Sequence, residues 1–61
     1  MLDAATTERL RHWCDQQFGD FIPAFNGMVS FLESIDDDEL NAYLHRGWWH
    51  TYDAAKGLGY V

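Results

Sequence analysis

Three runs of apolar residues at three- and four-residue steps, each bounded by capping and stop residues, predict a small all-α domain of three helices, about 4–18, 23–34 and 37–56. Composition supports that class. The chain of 61 residues is 48% hydrophobic and 16% aromatic, so a packed core is within reach and a disordered acidic tail is excluded. It reads as a single domain, 1–61, and a domain of about 60 residues buries only about 60% of the surface its unfolded chain exposes. Cys14 stands alone, so no internal disulfide can staple the fold and the aromatic side chains must carry it.

In the first segment Leu10, Trp13, Cys14 and Phe18 recur on one side, with Glu8, Arg9, Arg11, Asp15 and Gln16 on the other. That spacing is an amphipathic helix over 4–18. Asp3 is placed to cap it and Gly19 to stop it in a left-handed conformation. Glu8 and Asp15 each fall one turn from Arg11, where opposite charges support a helix.

The second segment carries two competing signals. Asn26-Gly27, between Phe21-Ile22-Pro23-Ala24-Phe25 and Met28-Val29-Ser30-Phe31-Leu32, has the form of a β-hairpin turn. Ile22, Phe25, Met28, Val29, Leu32 and Ile35 nevertheless keep helical spacing, and Pro23 suits the first turn of a helix better than a strand interior. A helix over 23–34 is the preferred reading, provided that a neighbouring helix packs closely at Gly27 to offset the roughly 1 kcal/mol that glycine costs there. An α+β fold with a hairpin around Asn26-Gly27 is the alternative.

The third segment opens on a capping box. Asp36 stands at the N-cap and Glu39 at N3, Ile35 and Leu40 take the positions of a hydrophobic staple, and Asp37 and Asp38 meet the positive end of the helix dipole. Leu40, Tyr43, Leu44, Gly47, Trp48, Thr51, Tyr52 and Ala55 then line one side, and Gly57 followed by Leu58 reads as a stop. A helix over 37–56 results. If Gly47 ends it early, His45 and Arg46 form its last turn and Trp48 to Tyr52 is free to run as a strand.

Constellations that carry chemistry are few. His12 and Cys14 are two apart, about 200° around a helix, and His45 and His50 are five apart, which misses the helical His pair of zinc enzymes. Counted from Asp36, the sixth and twelfth positions are Asn41 and Gly47, so no EF-hand calcium loop is present. Cys14 lies on the apolar stripe as a buried thiol would, and no nucleophile elbow, phosphate loop or dinucleotide fingerprint occurs. The expectation is a non-enzymatic protein with no catalytic residue, cofactor or metal. The opening Met1-Leu2-Asp3 carries no basic stretch and no apolar run approaches a membrane span. A cytoplasmic setting with no membrane partner follows as an expectation.

Charge narrows the partner. Ten Asp and Glu oppose four Lys and Arg, a formal net charge of −6, so direct binding of a nucleic acid is not expected, and a basic protein surface is. Half of those acids, Glu33, Asp36, Asp37, Asp38 and Glu39, fall within seven positions. They form either a helix cap and a solvated face or an anionic patch for a basic groove, extended by Asp15, Asp20 or Asp53. Trp49 is the second candidate. It cannot share the core direction of Trp48, because neighbours on a helix point about 100° apart, so it either covers a shoulder of the core or forms an interface anchor beside Arg46 and Asp53.

A short, strongly acidic, aromatic-rich chain without a catalytic motif resembles the small phage-encoded inhibitors of bacterial defence, the anti-CRISPR and anti-restriction proteins. The likeness is one of size and charge character. It implies that Asp36, Asp37, Asp38 and Glu39 stand in for phosphates against the nucleic-acid-binding groove of a partner such as a CRISPR effector. A second, local likeness links Asp37-Asp38-Glu39-Leu40, Tyr43 and His45-Arg46 to the Asp-Asp-Glu-Leu helix of Hha-type nucleoid modulators, with the His-Arg pair about one turn earlier here. The expected function is thus an inhibitor that mimics nucleic acid, with Glu33, Asp36, Asp37, Asp38, Glu39, Trp49 and Asp53 as the partner-binding residues. The alternative is a regulatory interaction module that docks through an aromatic patch, as a homodimer.

Overall fold

The computed structural model describes residues 2–19 and 22–61, with Ile22 through its backbone alone. Four helices follow one another, α1 (Ala4–Phe18), α2 (Ile22–Ser34), α3 (Asp37–Arg46) and α4 (Trp48–Gly57), and no strand occurs among the described residues. The first helix has the expected bounds. Asp3 accepts a hydrogen bond from the Thr6 amide at 2.7 Å, and the Gly19 amide donates to the Asp15 carbonyl from a positive φ of 65°.

The hairpin alternative is overturned, because α2 runs unbroken through Asn26-Gly27. Ala24, Gly27, Met28, Phe31 and Leu32 are buried, with Phe25 and Val29 beside them half-buried. The buried face is broad because α2 packs against both α1 and α4. Several packed neighbours reward the helical period more than a two-residue turn signal can oppose it. Asp20 as an extension of the acidic patch, and Phe21 in the hairpin reading, fall outside the described residues.

The expected single helix over 37–56 is also corrected. Gly47, at φ 111° and ψ 168°, ends α3 and caps α4. That backbone conformation is essentially reserved to glycine. The Gly47 amide closes α3 on the Tyr43 carbonyl at 3.0 Å, and its own carbonyl accepts from the Thr51 amide at 3.3 Å to start α4. His45 and Arg46 form the last turn of α3, as an early stop requires, but Trp48 to Tyr52 turns into helix rather than strand. Thr51 and Ala55, one turn apart, are fully buried, and only a helical period brings both small side chains inward.

The stop of α4 lies two residues beyond the expected Gly57. Leu58 is the C-cap and Gly59 takes the positive φ of 88°, while the Tyr60 amide bonds the Ala55 carbonyl at 2.9 Å and the Gly59 amide the Lys56 carbonyl at 3.2 Å. This pair of bonds is a Schellman motif, and it turns the chain back across α2. There the Tyr60 ring lies 5.6 Å from that of Phe31, its hydroxyl donates to the Ser34 hydroxyl at 3.2 Å, and its carbonyl occupies the space a Cβ on residue 27 would need. The close approach that a glycine at position 27 calls for is supplied by this tail rather than by another helix.

The core is Leu10 and Cys14 from α1, Met28, Phe31 and Leu32 from α2, and Ala55 from α4. Leu40, Tyr43, Trp48 and Tyr52 are half-buried against it. No helix of the described residues is long and apolar enough to cross a membrane.

Candidate functional site

The acidic candidates meet at the corner where α2 hands over to α3. After Ser34 the chain bends at Ile35, and Asp36 takes an extended conformation with φ −78° and ψ 171°. Its Oδ1 accepts from the Glu39 amide at 2.8 Å, so this carboxylate is engaged in capping. Asp37, Asp38 and Glu39 form the first turn of α3, and they and Glu33 are exposed. Their charge meets the partial positive charge of the helix end on one side and water on the other. The five carboxylates therefore share one corner of the molecule, and only Asp36 is tied to the backbone.

Trp49 lies elsewhere. The ten residues of α3 span about 15 Å, and Trp49 follows the far end, two positions past Gly47. Trp48 is half-buried against the core and Trp49 is 52% exposed, the division that adjacent helix positions require. The Trp49 ring is not isolated, however. It meets Trp13 edge-on at 5.1 Å, Phe18 at 5.9 Å and Tyr52 at 6.0 Å. Trp13 and Phe18 are themselves 5.6 Å apart, and Phe18 and Tyr52 5.0 Å. These four rings seal the seam between α1 and α4, so Trp49 covers a shoulder of the core while leaving half its surface to solvent. Asp53 is exposed, one turn further along α4 on the Trp49 side.

A third feature escaped the sequence reading. Glu39, Ala42, Tyr43 and Arg46 on α3, with His50 on α4, line an open cleft of about 240 Å³. The His50 ring stacks on Tyr43 at 5.1 Å with 27° between planes, and Phe31 meets Tyr43 from behind at 5.1 Å and 78°. Three rings thus step from the core to the surface. The spacing of Glu39, Ala42, Tyr43 and Arg46 on one face of α3 was readable from the sequence. The contribution of His50 depends on the Gly47 bend, which turns Trp49 toward α1 and His50 toward α3.

The thiol of Cys14 is 2% exposed, with its sulfur 4.0 Å from that of Met28. Burial, with the Asp15 carboxylate beside it, pushes its pKa up to about 11, so at neutral pH it is protonated and a poor nucleophile. The Asp3 carboxyl is held below the usual carboxylate range by its hydrogen bond with Thr6. Among the described residues no three His, Cys, Asp or Glu side chains converge as a metal ion would require. Comparison of the chain with protein-family models, with curated proteins and with solved structures found no match.

Proposed function

We propose that this chain acts by binding rather than turnover, presenting the α2–α3 corner to a basic groove that a partner protein uses for nucleic acid. The observation that carries the reading is the state of the five carboxylates. All are exposed at one corner, and four of them, Glu33, Asp37, Asp38 and Glu39, have side chains that are not spent on capping. Such a patch steers encounter with a basic surface and fixes register through charge-assisted hydrogen bonds. Its role is that of a phosphate mimic, as in the anti-CRISPR and anti-restriction inhibitors, acting in the cytoplasm of a bacterial cell. Asp53, exposed on the Trp49 side of α4, is a separate carboxylate of this negative surface in the same reading.

The test uses the immobilised chain and a bacterial lysate. A nucleic-acid-binding protein is expected on the matrix at low salt, released both by added duplex DNA and by raised salt, since exposed charges are screened beyond about 10 Å at 0.1 M. Asp37→Lys combined with Asp38→Lys should abolish capture while leaving the helical circular dichroism unchanged. Salt-independent capture, an unaffected double variant, or the absence of any DNA-displaced protein overturns the reading.

A second reading is favoured by one observation, that Trp49 remains 52% exposed although three rings contact it. Tryptophan is enriched among the residues that anchor protein interfaces. On this reading the α1–α4 aromatic seam docks on a second copy of the chain. Sedimentation velocity should then show a dimer that Trp49→Ala dissociates, and a wild-type monomer refutes it.

A further inference from the structure

The cleft between α3 and α4 is distinct from the charged corner, though Glu39 belongs to both. One wall is the Tyr43–His50 stack, with ring centroids 5.1 Å apart, held from behind by Phe31, which is 2% exposed. At one end stands the Glu39 carboxylate. At the other stands Arg46, seven residues on, about 10.5 Å along the helix. Ala42 between them leaves the floor open. An exposed His50 ring, backed by Tyr43 and close to a carboxylate, is the complement of one side chain in particular. A guanidinium is planar and weakly hydrated, stacks on aromatic faces and pairs with a carboxylate through two parallel hydrogen bonds, whereas an ammonium is a compact, strongly hydrated point charge that meets aromatic faces less often and has no bidentate fork.

We propose that this cleft receives an arginine side chain of the basic partner, its guanidinium lying on the exposed His50 ring, which Tyr43 backs, and hydrogen-bonded to Glu39. The inference rests on the binding function above and adds to it a residue-specific anchor. Arg46 does not make the cleft an anion site. It lies with His45 in the last turn of α3, where a cation offsets the negative end of the helix dipole. The first turn of the same helix holds Asp37, Asp38 and Glu39, and the chain carries a net charge of −6, so the field draws cations toward the Glu39 end and repels anions. Arg46 instead closes the far end to a second positive charge, which fixes the direction from which the partner's arginine enters.

The experiment is a ¹H–¹⁵N correlation titration of the full chain with N-acetyl-arginine amide, and separately with N-acetyl-lysine amide at equal ionic strength. Saturable shifts are expected at Glu39, Ala42, Tyr43, Arg46 and His50, with the arginine compound binding more tightly than the lysine compound. Glu39→Gln should remove that preference and His50→Ala should weaken binding of the arginine compound. Arg46→Gln should tighten it by relieving repulsion. All three positions are exposed, and an unchanged helical circular dichroism is the check that each variant folds. Shifts spread equally over Asp36, Asp37 and Asp38 for both probes, or arginine binding unchanged in Glu39→Gln, overturn the proposal. A silent cleft in a chain whose partner capture still depends on Asp37 and Asp38 overturns the anchor alone. A responsive cleft in a chain that captures no nucleic-acid-binding protein overturns the inhibitor reading alone.

Discussion

Cys14 shows how a single residue takes its character from its surroundings. It lies with Leu10 on the buried stripe of α1, against Met28 of α2, and its thiol is held up at about 11 because the thiolate would be stranded among apolar groups next to Asp15. In the unfolded chain the same thiol titrates near its ordinary value of about 8.5. The folded state therefore binds the proton more tightly, and stability associated with it is complete below about pH 8.5 and lost as pH rises through the folded value of about 11. Urea denaturation across that alkaline range should show the wild type losing at most about 3 kcal/mol more than Cys14→Ala, while at neutral pH the variant is the less stable of the two through its cavity. A parallel pH dependence for both proteins would place the alkaline sensitivity in other groups. The burial of Cys14 was legible from its spacing with Leu10 and Phe18, because a narrow apolar stripe on a polar helix has one direction in which to face.

At the scale of the elements, the sequence made helix boundaries legible wherever a side chain performs the capping. Asp3 and Asp36 accept the amide bonds expected of them, and α1 ends where Gly19 follows Phe18. Where a glycine does the work, the same letter has several meanings that only tertiary packing separates. Gly27 continues a helix, Gly47 breaks one, and Gly57 lies inside one. The apolar stripe passes through Gly47 without interruption, which is why one long helix was expected. The break makes the cleft, and so the cleft was hidden along with it. Substituting Gly47 tests this directly. A Cβ there would touch nothing within 4 Å, so the cost of Gly47→Ala lies in the backbone conformation alone, about 1 to 3 kcal/mol. Loss of the Tyr43–His50 contact, read from the His50 ring proton shifts, should accompany any relaxation toward a continuous helix. Unchanged stability with unchanged His50 shifts would show that the bend does not depend on glycine.

The whole molecule is held by few large contacts. Its radius of gyration of 10.4 Å matches the value of about 10.5 Å expected of a compact chain of this length, yet among the described residues the fully or nearly fully buried apolar side chains number seven. Among the described residues, closure therefore depends on peripheral rings and on the tail, which crosses α2 after the Schellman turn and rests on Gly27. The tail covers Phe31, the ring that supports Tyr43 and through it the cleft wall, so tail docking and cleft geometry are linked through one side chain. Gly27→Ala separates two opposing effects. Alanine favours the helix by about 1 kcal/mol, but its Cβ would collide with the Tyr60 carbonyl and come within 2.8 Å of Val61. Backbone cannot yield as a flexible side chain can, so overlap dominates and a net loss of about 1 to 3 kcal/mol is expected in urea denaturation. In a chain that ends at Gly59 the collision is absent and the same substitution should instead stabilise by up to about 1 kcal/mol. A reversal of sign between the two backgrounds identifies the tail as the element that needs glycine at position 27. The same sign in both would mean that α2 selects its glycine for some contact other than the tail.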